Sequence, residues 1–489
     1  MKNLFKQFIL LLTLLAYLAP GLAQQRLALP EVVYLARQRS IEAKAAKHRF
    51  MGNYWRLRNH KAQYLPHLEL RATVPNLNRS ISPITLPDGS DAFVRRSLAS
   101  SSASLSLSQT IGLTGGQVFV SSSLERIDLL GQIRSVSYLA NPVSVGFFQP
   151  LFGFNAHSWA QKIEPMIMDE AHKEYVENLE NIAVKATGLF FDLLAARKKL
   201  EVSHANLIAN DTLLSIAKLR FEIMTISNTD LMQMELNLLN SQAALEQAKL
   251  HHEMASFALS SFLNLERHEE VQLLEPSSIP DFEIDVDMAI GKAKKSRADL
   301  VRLARQKMEA DRDVSKARAD SRLNINLNAS FGLTQAATVF GDAYSNPIDN
   351  QQVRIGITVP ILDWGVSKSR VQMAESQRDL IITNSEQALV NFEREIFVKV
   401  KEFNNLKYQL MVAQKAEKIA SQRYDATADR FLAGRVGVME LNMAATEKDR
   451  SHEQYINVLR SYWYSYYQIR QATLFDFLTN QHVKAESYF

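Results

Sequence analysis

A strand-like segment that runs into a proline and then into a long polar stretch occurs twice in this chain. The two copies are VSVGFFQP, which starts at Val143, and VRIGITVP, which starts at Val353, 210 positions later. The same offset relates RFEIMTISNTDL, from Arg220, to RFLAGRVGVMEL, from Arg430. Earlier in each half the offset is 257, because 47 residues are inserted in the first copy. Repetition on this scale indicates one structural unit that is used twice.

Several segments of the repeat alternate apolar and polar residues, as strands with one apolar face do. In residues 324–333 the positions between the apolar residues are filled by Asn, Ser and Gly. The apolar positions are Ile325, Leu327, Ala329, Phe331 and Leu333. The segment from Val353, residues 102–111 and the stretch after the LTGG turn alternate in the same way. A soluble antiparallel sheet with one wet face would show the same pattern, so that alternative stays open here.

The segments that follow the strands are predicted to form unusually long helices. Residues 366–433 contain neither glycine nor proline, and a helix of that length would extend about 100 Å. Its apolar residues recur at three- and four-residue spacing, which predicts a left-handed coiled-coil seam. The seam comprises Leu389, Phe392, Ile396, Phe403, Leu406, Leu410, Ala413, Ala420 and Tyr424. The first half has a counterpart at residues 166–226, interrupted by Gly188.

The N-terminus has the features of an export signal. Lys2 and Lys6 precede a short apolar core, and Gly21 and Ala23 stand at the spacing that a signal peptidase requires. A membrane anchor is the alternative, but about 11 apolar residues are too few to span a bilayer. We therefore expect a cleaved signal peptide at residues 1–23.

The rest of the chain divides by the repeat. The first helix–strand–strand–helix–helix repeat is expected at residues 24–275, with a strand insertion at about 76–142, and the second repeat at residues 276–489. Each half should therefore contribute strands and a pair of long helices.

Composition narrows the class of protein. The chain has no cysteine, so it has neither a disulfide framework nor a lipid-bearing cysteine after the signal. Its net charge is +4, or +2 without Lys2 and Lys6, and no basic stripe indicates a nucleic-acid partner. No run of 18 apolar residues follows the signal, so we expect no transmembrane helix. The chain should be exported and either soluble or held in a membrane by strands.

Strand number decides what a membrane assignment would require. Four to six strands cannot close a barrel, since the smallest membrane barrels have about eight. An open sheet edge in lipid would leave backbone groups without hydrogen bonds, at several kcal/mol each. If the strands face lipid, the chain must share a barrel with copies of itself.

With these features, the sequence resembles the TolC-like family of outer-membrane efflux proteins over nearly all of the mature chain. The resemblance rests on VGFFQPLF and IGITVPIL before long helices, on the two RF turns and on the duplicated halves. It implies a mixed α and β membrane protein: a homotrimer that shares one outer-membrane β-barrel, continued by a periplasmic α-helical coiled-coil tunnel. The family pattern has four strands from each of three chains. It assigns barrel roles to residues 68–74, 143–150, 325–333 and 353–360, and leaves the placement of residues 102–130 open.

The strand–helix junctions and the helical turns are the candidate functional positions. Proline removes a ladder donor, so Pro150 and Pro360 should mark strand ends, with Gly153 and Gly365 letting the chain turn. In the family, the turns at residues 220–231 and 430–441 would meet a periplasmic adaptor or close the tunnel. The candidates for docking or gating are Arg220, Asp230, Arg430, Gly434, Arg435 and Glu440.

The turns also depart from the family. Met224 stands where the family usually has glycine, and the positions of the family's Tyr–Arg–Asp gate network are occupied by Phe431, Val436 and Met443. SNTD at residues 227–230 fits a capping box. The alternative interpretation is that Asp230 and Glu440 only start a helix. If a gate exists, it must be built differently here.

Other chemistry is poorly supported. HHE at residues 251–253 lacks the second histidine of a zinc-protease helix, and MIM and MQM are more typical of helix packing than of copper binding. No phosphate loop and no G-x-S-x-G motif occurs. We expect no enzyme activity, no cofactor and no metal.

These observations predict a passive exit duct in the outer membrane, with most of the chain in the periplasm. Its partners would be two further copies of itself, outer-membrane lipid, a periplasmic adaptor protein and an inner-membrane transporter of a tripartite efflux or type I secretion system. The main alternative is an exported coiled-coil scaffold without channel activity; a hydrolytic enzyme is the third.

Overall fold

The computed structural model describes residues 25–130, 134–265, 271–276 and 280–483, so the expected signal peptide at residues 1–23 lies outside the described residues. Within these ranges eight helices alternate with strands. In chain order the elements are β1 (Gln25–Leu27), α1 (Leu29–Arg39), α2 (Ile41–Ala62), β2 (His67–Thr85), β3 (Asp91–Ile111), β4 (Gly116–Leu130), β5 (Arg134–Leu151), α3 (Ala156–Glu222), α4 (Asn228–Phe262), β6 (Val271–Leu273), α5 (Val286–Ser296), α6 (Ala298–Asp320), β7 (Asn324–Ala337), β8 (Ile348–Thr358), α7 (Val366–Leu432), α8 (Val438–Thr473), β9 (Phe475–Asp476) and β10 (Gln481–His482). The mixed α and β fold is the predicted one.

The chain forms two compact units, each built from separate stretches of sequence. Of the described residues, the helical unit comprises 25–50, 172–265, 271–276, 280–298 and 389–483. The strand unit comprises 51–130, 134–171 and 299–388. The repeat therefore contributes parts of both its copies to each unit.

The strand unit contains one six-stranded antiparallel sheet in the order β2-β3-β4-β5-β7-β8. This corrects the four strands that the resemblance implied, because the residues whose placement was open form β3 and β4 inside the sheet. The predicted barrel segments 68–74, 143–150 and 325–333 lie within β2, β5 and β7, and the segment 353–360 lies in β8 up to Thr358. Both β2 and β8 are edge strands.

The helical unit is held by apolar seams between its helices. In α7, Ile396, Phe403 and Leu410 are buried, as the coiled-coil pattern predicts. Leu389, the first residue of the predicted seam, is exposed. Phe403 also stacks on Tyr462 of α8, with 5.0 Å between the ring centroids. Two small sheets complete the unit: β1 pairs with β6 in parallel, and β9 pairs with β10.

The first long helix differs from its prediction at both ends. It begins at Ala156, ten residues before the predicted start, passes through Pro165 and ends at Glu222. Asn155 stabilises the early start, because its side-chain oxygen accepts hydrogen bonds from two backbone N–H groups of the first turn, at 3.0 and 3.1 Å. Just before the proline, Glu164 accepts two hydrogen bonds from Arg56 of α2, at 2.8 and 2.9 Å. A proline removes one helical hydrogen bond, and these contacts hold the helix around the gap.

Candidate functional site: an amphipathic sheet and two helical turns

The six-stranded sheet has one apolar and one polar face, and the register aligns each face across the strands. On the apolar face Leu70 lies opposite Leu105, Leu107 opposite Val120, and Val120 opposite Val145. The face continues through Val145 opposite Phe331, Leu327 opposite Ile355, and Ile325 opposite Ile357. Serine, asparagine and glycine lie between these positions on the other face.

Exposure of the sheet is the reverse of that in a soluble protein. Leu105 and Val145 on the apolar face are 44% and 49% exposed, and Ile357 on edge strand β8 is 63% exposed. The serines that alternate with Leu105 in β3, Ser104 and Ser106, are partly buried. Apolar surface of this extent is costly in water, so the soluble-sheet alternative requires a covering partner, whereas lipid would satisfy the face directly.

The two strand–helix junctions place an exposed aromatic residue in the left-handed backbone region. At the first junction Phe152 has φ 63°, and at the second Trp364 has φ 54°, followed by Gly365 with φ 90°. The positive φ of the first junction thus falls on Phe152 rather than on Gly153, the predicted turn residue. Tyr and Trp rings are typical of membrane–water interfaces, and Trp364 is 89% exposed.

The two prolines sit differently relative to the strand ends. Pro360 lies two residues beyond β8. Pro150 is inside β5, opposite Asn326, and the strand ends one residue later at Leu151. A proline this close to a strand end removes a single ladder donor, so the ladder tolerates Pro150.

The two helical turns close in the same way. In the first turn the Met224 N–H donates to the carbonyl of Phe221, and the Thr225 N–H donates to that of Arg220, both at 2.9 Å. In the second turn Gly434 and Arg435 make the same two bonds, to Phe431 and Arg430, also at 2.9 Å. Both turns are therefore Schellman motifs, which satisfy the last carbonyls of a helix.

Met224, which stands where the family usually has glycine, adopts a left-handed backbone conformation in the first turn. Met224 has φ 57° and Gly434, its repeat counterpart, has φ 72°. A non-glycine residue in this conformation costs about 1–2 kcal/mol. The Met224 side chain is 92% exposed and so gains nothing from packing that would offset the cost in this chain.

Arg220 joins the two turns. Its guanidinium donates to the carbonyls of Phe431 and Leu432 at 3.1 and 3.0 Å, and its Cζ lies 5.1 Å from the centre of the Phe431 ring. A cation at the carbonyl end of a helix is stabilised by the helix dipole. Arg220, expected to dock or gate, is thus engaged inside the helical unit.

The same positions of the repeat have different surroundings in the two turns. Phe431 is 2% exposed and belongs to a buried cluster at the helix ends, whereas its counterpart Phe221 is 40% exposed. The buried members of this turn cluster are Leu214, Ala217, Met234, Phe431, Val438 and Leu441. The family gate position occupied by Phe431 is therefore part of a packed core.

The other predicted turn residues divide into a cap and an exposed set. Ser227 and Asp230 form the predicted capping box, in which each accepts a hydrogen bond from the backbone N–H of the other, at 3.1 and 3.2 Å. Arg430, Arg435 and Glu440 are exposed, and in the described ranges none of the three has an ion pair or side-chain hydrogen bond.

A groove of about 590 Å³ lies between the first turns of α4 and α8. Its polar groups include Asp230, Glu447 and Arg450, and its apolar lining includes the exposed Met439 and Met443. Methionine side chains adapt to differently shaped partners, so this groove offers both charge and an adaptable apolar floor.

A buried ionic cluster in the helical unit has no counterpart among the sequence predictions. Glu180 of α3 is fully buried and pairs with Arg37 and Arg470, with 2.9 Å between Arg470 Nε and the carboxylate. Arg470 also pairs with Asp476 at 3.1 Å, which accepts a hydrogen bond from the Tyr466 hydroxyl at 2.5 Å. Burial lowers the pKa of Arg470, but the carboxylates of Glu180 and Asp476 outweigh it and raise the pKa above its ordinary value. Burial and the bond to Asp476 raise the pKa of Tyr466.

Among the helices of the described ranges, none is both long and apolar enough to cross a membrane.

Comparison with known proteins agrees with this architecture. Residues 289–473 match the family model "Outer membrane efflux protein", and no curated protein matches the chain. The Campylobacter jejuni CmeC outer membrane channel is 15% identical, with a TM-score of 0.66, over 91% of this chain and 85% of that one. The Vibrio cholerae outer membrane protein VceC is 14% identical, with a TM-score of 0.65, over 93% of this chain and 97% of that one. The open-state Neisseria gonorrhoeae MtrE outer membrane channel is 14% identical, with a TM-score of 0.62, over 91% of this chain and 88% of that one.

The fold of this chain is that of the outer-membrane channels compared above. The resemblance to the TolC-like outer membrane efflux family is confirmed, by the family match over residues 289–473 and by the fold over most of the chain.

Proposed function

We propose that this protein is the outer-membrane exit duct of a tripartite efflux or type I secretion system. It passively conducts solutes or proteins that an inner-membrane pump expels, and its strands lie in the outer membrane while the helical unit lies in the periplasm. The observation that carries the proposal is the six-stranded sheet, whose apolar face is exposed and whose two edges are open within one chain. Contact with lipid would stabilise the exposed apolar face, and pairing with copies of the chain would satisfy the backbone groups of the two edge strands.

Assembly with partners follows from the same observation. A homotrimer closes the sheet, and a periplasmic adaptor is expected at the helical turns. The groove between α4 and α8 and the exposed Arg430, Arg435 and Glu440 support this placement, because charged groups at an interface rim steer association. Arg220 and Asp230 also stabilise the turns that would present this surface.

The membrane assignment is tested by placing one lysine on each face of β8. Ile357→Lys puts a charge on the apolar face one residue before the end of β8, where we expect a cost between the about 2–4 kcal/mol of the bilayer middle and the about 0–1 kcal/mol of its interface. Thr358→Lys puts the same charge on the opposite face, where it meets water. We expect Ile357→Lys to reduce the detergent-extracted trimer strongly and Thr358→Lys to leave it near the parent level, measured by crosslinking of the membrane fraction. Equal amounts of trimer from both variants, or a soluble monomer from the parent, would contradict the assignment.

The role of the turns is tested by the double change Arg430→Ala with Arg435→Ala. Both side chains are exposed, so the trimer should assemble normally. We expect either weaker co-purification of the adaptor or a higher conductance of the purified channel in a planar bilayer. The double change Lys418→Ala with Arg423→Ala is the control, because it removes two exposed charges from the same helix. A double variant that assembles, binds adaptor and conducts like its control would show that the two arginines are ordinary solvated side chains.

A further inference from the structure

We propose that the hairpin of β3 and β4 is part of the barrel wall, so that three chains close a barrel of eighteen strands rather than twelve. This inference rests on the proposed trimeric duct and goes beyond it, because a duct with this hairpin outside the wall would still close with twelve strands.

The ladders give the first argument. β3 pairs with β2 from His67 opposite Ser108 to Thr85 opposite Asp91, with one irregularity, and β4 pairs with β5 along most of its length. The hairpin therefore separates β2 from β5, which have no pairing with each other in the described sheet. A wall without the hairpin would break both ladders and require a new one between β2 and β5.

The faces of the hairpin give the second argument. Leu105, Leu107 and Val120 continue the apolar face of the flanking strands, and Ser104 and Ser106 continue the polar face. A hairpin that left the wall would have both faces in water, and alternation matched to that of its neighbours would then have no purpose. The match favours lipid on one side and the aqueous lumen on the other.

The turn of the hairpin gives a third, independent argument. The Asn155 amide donates to the carbonyls of Gly112 and Leu113 at 3.1 and 2.9 Å, and the Gln149 amide donates to that of Thr114 at 3.0 Å. A Cβ added at Gly112 would lie 2.9 Å from the ring of Tyr64 and closer still to the Gln161 amide. The turn is thus fixed to the start of α3 at the strand–helix junction, as a wall hairpin must be and a free flap need not be.

The edges then set the number of strands. The sheet is antiparallel throughout and has six strands, so its edge strands β2 and β8 run in opposite directions. The β8 edge of one chain can therefore pair antiparallel with the β2 edge of the next, and every edge is used when the ring closes. With three copies the ring has eighteen strands.

The consequence is a wide lumen. Barrel diameter grows roughly linearly with strand number, and barrels of 16–18 strands leave an aqueous channel. Eighteen strands in place of twelve widen the barrel by about half and roughly double its cross-section. The barrel would therefore not be the segment that limits the size of the cargo.

Single cysteines test this placement, because the natural chain has none. We would spin-label Leu105→Cys and Ser106→Cys in the hairpin of the full-length trimer in lipid vesicles. Collisions are measured with oxygen, which concentrates in lipid, and with a water-soluble nickel chelate. Ile355→Cys and Arg354→Cys on β8 are the reference pair for the lipid and lumen sides.

We expect Leu105→Cys to match the oxygen preference of Ile355→Cys, and Ser106→Cys to match the nickel preference of Arg354→Cys. Nickel preference at both hairpin positions, with Ile355→Cys still in lipid, would place the hairpin outside the wall and overturn this inference alone. Nickel preference at Ile355→Cys would overturn the proposed function as well. A strand count by electron microscopy should give eighteen, and a count of twelve would be decisive against the inference.

Discussion

Phe431→Ala is expected to destabilise the helical unit by about 3–5 kcal/mol, the usual cost of removing a buried phenylalanine. The ring fills the turn cluster, where it is 2% exposed, and it also lies under the guanidinium of Arg220. The substitution therefore leaves a cavity and removes a cation–π contact worth about 0.5–1 kcal/mol. Thermal unfolding followed by circular dichroism measures the loss.

The repeat supplies the matched control. Phe221 occupies the same position of the first turn but is 40% exposed, so Phe221→Ala should cost about 1 kcal/mol or less. Equal losses from the two substitutions would contradict the finding that, of these two repeat positions, only Phe431 is buried in the turn cluster.

Glu180→Gln is expected to destabilise the helical unit by about 3–5 kcal/mol, because breaking a buried ion pair leaves a buried charge without compensation. Glutamine keeps the shape of the side chain but removes the charge that Arg37 and Arg470 share. Arg470 retains its ion pair with Asp476. Unfolding of the detergent-solubilised trimer in urea measures the loss of stability.

A pair on the surface of the same unit is the control for this change. Glu42 accepts from Lys185 at 2.8 Å, and both side chains are about half-exposed. Exposed pairs contribute about 0–1 kcal/mol, so Glu42→Gln should have little effect. If Glu180→Gln were equally mild, the buried cluster would not be a source of stability.

Periodicity predicted the elements of the fold because it reports which faces are apolar. The helix at residues 366–433 was predicted almost to its observed bounds, Val366–Leu432. The strands around Ile325 and Val353 were also predicted. The hairpin of β3 and β4 was recognised as a pair of strands, but its place in the sheet was not predicted, because alternation fixes a face and not a neighbour.

The candidate site was predicted less completely, for two physical reasons. The repeat made Arg220 and Arg430 look equivalent, yet packing engages Arg220 and leaves Arg430 exposed. The cluster around Glu180 joins residues far apart in sequence, so no pattern within one segment predicts that they meet. Its sequence signal is limited to three charged residues on otherwise apolar helix faces. The docking and gating roles of the turn residues remain predictions.

The pairing of β5 with β7 has a consequence for how the chain folds. It joins Val143 to Leu333 across 190 positions, whereas every other ladder of the large sheet connects strands that follow each other directly. Helical hairpins form from local contacts in microseconds, but contacts distant in sequence carry a loop-closure cost and form late. The β2–β5 meander and the β7–β8 hairpin should therefore exist as separate pieces until α3 to α6 have formed between them. During that interval the two pieces present four open edges, at β2, β5, β7 and β8. Pairing of β5 with β7 removes two of them, so slow formation of this ladder prolongs the period in which the extra edges can pair with other chains.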